Sequence, residues 1–354
     1  MRMRRTAPGL LLICMVFGCI TGCASDLSGL SRSLRSGYEE VKDLDYQAAE
    51  ESFKAAISSG EDIVQSYRGL GLALMGQARY QEAAEAFTNA LSQTDDKMEE
   101  TVKDLLLYKA SAQYRMRDYS GTIQTADSLV GIDDTLAPAY FFRGAAWLCQ
   151  GEQDKAKVNF DYAVTLSRQD YELYLDIYQV YDDNKLSGIG DEYLGTALSI
   201  APEGNEAHYH IGQIYFYLEQ FDQAKEALIE PVKDRYVPAL NLMGQIYLAE
   251  GDLDNARATF TQVVGLDGPS PETCNGLALC ALEADDPDTA LRYIAEGLDL
   301  PGNDGKKPLY YNEIIIYERK LDFANALAKC EVYASLYPTD EDGQKELTFL
   351  RSRA

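Results

Sequence analysis

The chain has 354 residues, of which 46% are hydrophobic and 25% are charged, proportions that are ordinary for a folded protein in water. Acidic residues outnumber lysine and arginine by 57 to 32, which gives a net charge of −25. A field of that sign repels nucleic acid and anionic membrane surfaces, so it argues against those partners and favours cationic or neutral ones. An acidic exterior that serves only to keep the protein in solution is the alternative.

The first 22 residues predict a signal peptide. A positively charged start, Met1 to Arg5, precedes a largely apolar run from Gly9 to Ile20. That run is too short to cross a bilayer as a permanent helix, and it has the length of the hydrophobic region of a signal peptide.

The end of this run, Ile20-Thr21-Gly22-Cys23, resembles the bacterial lipobox. The resemblance implies cleavage before Cys23, lipidation of that cysteine and attachment at the extracytoplasmic face of the cell membrane, since two or three acyl chains hold a protein firmly. Cleavage would remove three arginines and no acidic residue, which brings the net charge to −28. Residues 23–31 would then form the lipidated cysteine and a short tether. An ordinary secretory signal with an incidental cysteine is the alternative.

After the tether, one spacing of small and large residues recurs nine times. In one example, Gly144 is followed by Ala156 twelve residues later, and then by the large residue Phe160 and the small residue Ala163. Small residues at fixed distances let two helices pack closely, so this spacing predicts helix pairs. The first small positions are Gly37, Gly71, Ala110, Gly144, Tyr178, Gly212, Gly244, Ala278 and Ile314, and the second are Ala49, Ala83, Thr122, Ala156, Gly190, Ala224, Ala256, Ala290 and Ala326.

The second small positions are separated by 34, 39, 34, 34, 34, 32, 34 and 36 residues. The pattern resembles the tetratricopeptide repeat, a helix-turn-helix unit with a period of 34 residues. The resemblance implies an all-α fold, a right-handed superhelical solenoid of about nine repeats over residues 32–337. A C-terminal capping helix and tail would occupy residues 338–354.

Three irregularities interrupt the repeats. The insertion Ser92–Val102 predicts extra helical turns or a hinge, and Pro231 predicts a shortened or kinked helix. In the fifth repeat, Tyr178 takes the first small position and Gly190 the second. We interpret this pair as a size swap, in which the tyrosine ring occupies the space left by the missing methyl group.

The chain carries none of the short motifs that indicate catalysis or metal binding, such as a P-loop, G-x-S-x-G, H-E-x-x-H or an EF-hand loop. Its two histidines, His208 and His210, are two residues apart on a predicted helix and point to different sides. We therefore predict that the protein is not an enzyme and needs no cofactor or metal. The cysteines beyond the lipobox are predicted to be free thiols: Cys149, Cys274, Cys280 and Cys330.

Several of the 25 tyrosines and 11 phenylalanines do not fit the core spacing. In tetratricopeptide repeat proteins, the first helix of each repeat lines a concave groove with the side opposite its small position. The resemblance therefore implies a groove with an aromatic floor, amide groups and a cluster of acids, which suits an extended peptide with basic residues. Sugar rings of an envelope glycan would stack on the same floor. The predicted partner-binding residues are Tyr108, Tyr114, Phe141, Phe142, Asp176, Gln179, Asp182, Asp183, Tyr209, Gln213, Phe216, Tyr217, Asn241 and Gln245.

These features together predict a membrane-anchored lipoprotein that acts as a protein- or peptide-binding scaffold or adaptor at the cell envelope. A carbohydrate- or cell-wall-binding accessory lipoprotein is one alternative, and a non-catalytic subunit of an envelope complex is another. The sequence leaves open the partner, the oligomeric state and the type of envelope.

Overall fold

A computed structural model describes residues 31–303, 305–338 and 340–353. The predicted signal peptide and Cys23 lie outside the described residues. Within them, the regular secondary structure is helical and contains no strand, so the all-α prediction is confirmed. No helix in this part of the chain combines the length and the hydrophobicity that a bilayer crossing requires.

The described helices form two compact units, one with the helices before Ala201 and the other with the helices after Pro202. The N-terminal unit contains α1 (Arg32–Lys42), α2 (Tyr46–Ser59), α3 (Ile63–Gly76), α4 (Tyr80–Leu91), α5 (Glu99–Arg115), α6 (Tyr119–Ile132), α7 (Ala137–Cys149), α8 (Gln153–Leu166), α9 (Tyr171–Asp183) and α10 (Ser187–Leu198). The C-terminal unit contains α11 (Gly204–Tyr217), α12 (Phe221–Ala227), α13 (Ile229–Lys233), α14 (Val237–Glu250), α15 (Leu253–Asp267), α16 (Pro271–Glu283), α17 (Pro287–Asp299), α18 (Lys307–Arg319), α19 (Phe323–Leu336) and α20 (Glu341–Arg351).

The turn between the two helices has the same backbone conformation in each predicted repeat. A residue with positive φ lies five positions before the second small position, and at most of these turns it is not glycine. A left-handed conformation costs an ordinary residue about 1–2 kcal/mol, so the packing of the two helices must impose it. This geometry confirms the predicted repeat register. The positive-φ residues are Leu44, Ala78, Arg117, Gly151, Lys185, Glu219, Gly251, Asp285 and Leu321.

The residue four positions after the second small position is fully buried in each repeat. Where the first small position is glycine, it makes room for a large side chain there. A Cβ atom on Gly144 would lie 2.9 Å from the Phe160 ring, and one on Gly244 would lie 2.8 Å from the Phe260 ring. In these two repeats the first small position therefore faces the large residue of the second helix. The buried residues at this position are Phe53, Phe87, Ala126, Phe160, Leu194, Leu228, Phe260, Ile294 and Cys330, of which alanine and cysteine are small.

The three sequence irregularities have the predicted structural effects. Helix α5 begins inside the insertion and extends to 17 residues. The second helix of the sixth repeat is divided into α12 and α13, because Pro231 lacks the amide hydrogen that a continuous helix requires. In the fifth repeat, Cδ2 of Tyr178 lies 2.9 Å from the Cβ position of Gly190, as the size swap requires.

Helix α20 follows the ninth pair and packs on it. Leu347 and Leu350 from α20 join a core cluster with Ile314, Cys330 and Tyr333. The last pair therefore has a helix over the face that no further repeat covers, as the capping prediction requires.

Candidate functional site

Three first helices of successive repeats, α11, α14 and α16, form a cleft within the C-terminal unit. We call it the α11–α14–α16 cleft. Tyr209, Gln213 and Phe216 are three or four residues apart, so they lie on one side of α11. The cleft is lined by Tyr209, Gln213, Phe216, Tyr217, Leu242, Gln245 and Glu272.

Five of the lining residues belong to the predicted partner-binding set, and a sixth predicted residue, Asn241, hydrogen-bonds to Glu272. The structure thus brings together all the predicted residues of the C-terminal unit. Leu242 and Glu272 were not predicted. Glu272 lies in the first turn of α16, six residues before Ala278, and extending the predicted groove stripe by one helical turn towards the N-terminus would have included it.

Glu272 carries the one formal charge among the lining residues. Its carboxylate accepts hydrogen bonds from Nε2 of Gln245 at 2.6 Å and from Nδ2 of Asn241 at 3.2 Å, and both donors are neutral amides. The residue as a whole is exposed to solvent, whereas its carboxyl group is partly desolvated where it meets the amides of Gln245 and Asn241. This desolvation raises the pKa of Glu272 to about 7, and the hydrogen bond from Gln245 offsets part of the increase.

A second set of hydrogen bonds fixes the α11 side of the cleft. Nε2 of Gln213 donates to the hydroxyl of Tyr209 at 2.8 Å, and Oε1 of Gln213 lies 2.9 Å from Nδ1 of His210. The Tyr209 ring also packs edge-on against Tyr236, with the two ring centres 5.8 Å apart. The aromatic wall is therefore held in place before any ligand binds.

The predicted aromatic floor of the N-terminal unit is largely part of the core. Tyr108, Phe141 and Phe142 are each 1% exposed, so the expectation that they face a ligand is wrong. Tyr108 stacks on Phe87, and Phe141 packs against Phe160, so these rings join neighbouring helices. Tyr114 is half-buried, and its hydroxyl lies 3.6 Å from Sγ of Cys149.

The predicted acids of the N-terminal unit differ in depth. Asp176 on α9 is fully buried, and neither of its carboxylate oxygens has a hydrogen-bond partner among the described residues. Burial, with the nearby charges of Glu172 and Asp170, raises the pKa of Asp176 well above its usual range. Asp182 and Asp183 are exposed at the end of α9 and remain accessible.

The amide of Gln179 contacts one of these exposed acids. Its Nε2 atom donates to Asp183 at 2.9 Å. The N-terminal unit therefore presents its exposed acids apart from its buried aromatic rings, whereas the C-terminal unit combines rings, amides and an acid in one cleft.

A second, more open cleft of about 420 Å³ lies between α6, α7 and α8, and no pattern in the sequence predicted it. Two of its charged groups form an ion pair, since Arg143 contacts Asp127 at 2.8 Å, and Arg143 also donates to Asn159 at 2.7 Å. Nζ of Lys155 lies 4.0 Å from the centre of the Trp147 ring. We assign no ligand to this cleft.

The described residues contain no group of His, Cys, Asp and Glu side chains that could hold a metal ion. The cysteines beyond the lipobox are free, as predicted, and three of them are buried. Burial raises the pKa of Cys274, Cys280 and Cys330 to about 11, so these thiols stay protonated.

The helix pairs, their shared turn and the cleft on the first helices define the class of this fold, an array of tetratricopeptide repeats. The family profile named tetratricopeptide repeat matches residues 34–97, 209–271 and 241–308. This match, together with the helix pairs, confirms the fold prediction. Tetratricopeptide arrays are scaffolds for interaction with other proteins. None of the curated protein sequences compared with the chain matches it significantly.

The solved structures that resemble this chain have very different sequences. The human IFIT1 dimer with PPP-AAAA gives a TM-score of 0.51 at 12% identity, over 97% of this chain and 85% of that chain. A tetratricopeptide repeat protein from Parabacteroides merdae gives a TM-score of 0.39 at 14% identity, over 90% and 97%. The APC/C hetero-tetramer Cut9-Hcn1 gives 0.43 at 13% identity, over 90% and 63%, so this chain spans less than two thirds of that one. At these identities the likeness concerns the fold alone.

Proposed function

We propose that this protein is a lipid-anchored scaffold or adaptor that binds a protein or peptide at the extracytoplasmic face of the cell membrane. The α11–α14–α16 cleft is the observation that carries the binding part of this proposal. Aromatic rings supply apolar contact area, the amides of Gln213 and Gln245 supply hydrogen bonds, and Glu272 supplies charge. This combination suits an extended peptide with basic residues.

The membrane part of the proposal depends on the N-terminal sequence. The lipobox-like Ile20-Thr21-Gly22-Cys23 follows an apolar run of signal-peptide length. Metabolic labelling with a fatty acid tests it directly, since the wild-type chain should take up label and a Cys23→Ser variant should not. Equal labelling of both chains, or labelling of neither, contradicts the lipid anchor.

Capture from detergent-solubilised membranes tests the binding part. We expect the wild-type chain to retain a protein partner that salt releases, because the net charge of −25 favours basic partners. The double variant Asp182→Ala with Asp183→Ala removes the exposed acids of α9, and it should weaken capture and reduce its salt dependence. Retention on purified wall glycan instead of a protein would contradict the proposal.

A further inference from the structure

We propose that the α11–α14–α16 cleft binds a primary ammonium group, presented by a lysine side chain of the partner. This inference rests on the proposed function, because it names the chemical group that the partner inserts. Three properties of the cleft support the inference: its unbalanced charge, its acceptor atoms and its size.

Within the part of the chain that the structure describes, no cation balances the charge of Glu272. Neutral amides make both of its hydrogen bonds, and no lysine, arginine or histidine among the described residues forms an ion pair with it. Elsewhere in the same unit acids are paired, for example Glu250 with Lys225 at 2.7 Å. A carboxylate in a crowded, partly desolvated cleft gains most from a ligand that brings the missing positive charge.

The acceptor atoms of the cleft match the donors of an ammonium group. Lysine carries three N–H donors and no acceptor, and a carboxylate can accept about four hydrogen bonds. Glu272 uses two of these for Gln245 and Asn241. Oδ1 of Asn241 is buried and has no partner among the described residues, and Asn241 itself is only 6% exposed. An ammonium group beside Glu272 would supply donors to both residues.

The size and walls of the cleft favour lysine over arginine. The enclosed space accommodates about one water-sized group, which is the size of an ammonium and smaller than a planar guanidinium. The rings of Tyr209, Phe216 and Tyr217 form its walls. Such rings attract a cation through their faces and pack along the apolar stem of a lysine side chain.

Fluorescence anisotropy at pH 8 with the purified full chain tests the inference. The probes are N-acetylated, C-amidated peptides of otherwise uncharged residues that differ at one central position, which is lysine, norleucine, Nε-acetyl-lysine or arginine. We expect the lysine peptide to bind about tenfold more tightly than the norleucine and acetyl-lysine peptides. Arginine should give a smaller gain than lysine, because its guanidinium is too large for the space.

The variant Glu272→Gln keeps the shape of the side chain and removes its charge. It should reduce the affinity for the lysine peptide to that for the norleucine peptide. Glu250→Gln is the matched control, since it removes the same charge from the same unit outside the cleft, and it should leave the preference for lysine intact. Equal affinity for lysine and norleucine, no measurable binding of the lysine peptide, or a lysine preference that survives Glu272→Gln would overturn the inference.

Two further arms separate the remaining explanations. A norleucine peptide with a free N-terminus should bind weakly, and binding as tight as that of the lysine peptide would assign the site to a chain terminus instead. Affinity for the lysine peptide should fall several-fold from pH 8 to pH 6, as Glu272 becomes protonated. The other titratable side chains at the cleft are the lining residues Tyr209 and Tyr217, with His210 behind Gln213. A pH effect that persists in Glu272→Gln would not come from Glu272 and would contradict the inference.

The inference and the proposed function fail in different ways. If the chain captures a membrane protein equally well with Glu272→Gln, the scaffold proposal stands and the ammonium site is wrong. If the lysine peptide binds through Glu272 and no protein partner is captured, the ammonium site stands and the scaffold proposal is wrong.

Discussion

The ring of Phe260 lies 2.8 Å from the position that a Cβ atom on Gly244 would occupy. The ring has no room to move away, because a Cβ atom on Gly276, in the next repeat, would lie 2.5 Å from Cζ of the same ring. Phe260 is fully buried between these two glycines. One aromatic side chain thus joins the two helices of its own repeat to the first helix of the next.

This relationship predicts that Gly244→Ala destabilises the protein, although alanine is the better helix former. Overpacking a filled core costs about 1–3 kcal/mol. Gly265→Ala is the control, since Gly265 lies on α15 with nothing within 4 Å of its Cβ position, and it should stabilise by about 0.5–1 kcal/mol. Urea denaturation of both variants measures the difference, and a Gly244→Ala variant as stable as wild type would contradict this account of the packing.

The contact between Tyr178 and Gly190 predicts that Gly190→Ala destabilises the fifth repeat. The added methyl group would lie 2.9 Å from Cδ2 of Tyr178 and 3.2 Å from its Cα, and the backbone atom cannot swing aside as a side chain can. We expect a loss of about 1–3 kcal/mol in the free energy of unfolding. Gly195→Ala on the same helix, with open space at its Cβ position, should instead stabilise it by about 0.5–1 kcal/mol.

Hydrogen exchange measures how readily the helices of the fifth repeat open in the wild-type protein. Glycine in a helix favours opening, so amides of α9 and α10 should exchange faster than those of α7 and α8. Exchange that is no faster would count against the size-swap interpretation.

Asp176 predicts a stabilising substitution. Its buried carboxyl group has no hydrogen-bond partner among the described residues, and Leu242 occupies the corresponding position of the seventh repeat. We expect Asp176→Leu to raise the free energy of unfolding by about 1–3 kcal/mol at pH 7. Asp191→Asn, an exposed acid on the neighbouring helix α10, should change it by less than about 0.5 kcal/mol.

The gain from Asp176→Leu should depend on pH in a defined direction. The native pKa of Asp176 is raised above its unfolded value of about 3.9, so the native state binds the proton more tightly than the unfolded chain does. Stability of the wild type therefore falls as pH rises above about 4, and the advantage of leucine grows over the same range. An advantage that is constant from pH 4 to pH 7 would exclude ionisation of Asp176 as its source.

The acid pair of Glu318 on α18 and Glu346 on α20 predicts that α20 opens more readily as pH rises. Burial raises the pKa of Glu318 to about 7, and its hydrogen bond with Glu346 contributes. Since the native pKa exceeds the unfolded value of about 4.3, the stabilising proton is present below pH 4 to 5 in both states and is lost from the native pair as pH passes about 7. Above that pH, two carboxylates repel each other.

Hydrogen exchange of α20 amides, corrected for intrinsic rates, checks this prediction. Opening should be greater at pH 8 than at pH 6 in the wild type, and Glu346→Gln should remove the difference. Amides of α15 in the same sample provide the internal reference. A difference that persists unchanged in Glu346→Gln would mean that another group controls the docking of α20.

Much of this fold could be predicted because its essential contacts are local in sequence. Gly144 and Phe160 belong to one helix pair and are separated by one short turn, so their spacing is visible in the chain itself. The effect of Pro231 is local for the same reason, since one missing amide hydrogen interrupts the helix in which it lies. A repeated pattern of this kind predicts helices, pairs and register without knowledge of the partner repeats.

The binding surface could not be predicted in this way, because helical periodicity gives the direction of a side chain and not its depth of burial. Phe141 and Gln213 occupy the predicted groove side of their helices, yet Phe141 is buried against the Phe160 ring of the next helix, whereas Gln213 lines a cleft. Glu272 meets Gln245 only after two successive repeats stack. The sequence by itself determined the helix pairs and their order, through spacings of a dozen or so residues. Only the tertiary structure decided which side chains are covered and which meet in the cleft, since coverage depends on neighbours that lie a whole repeat away along the chain.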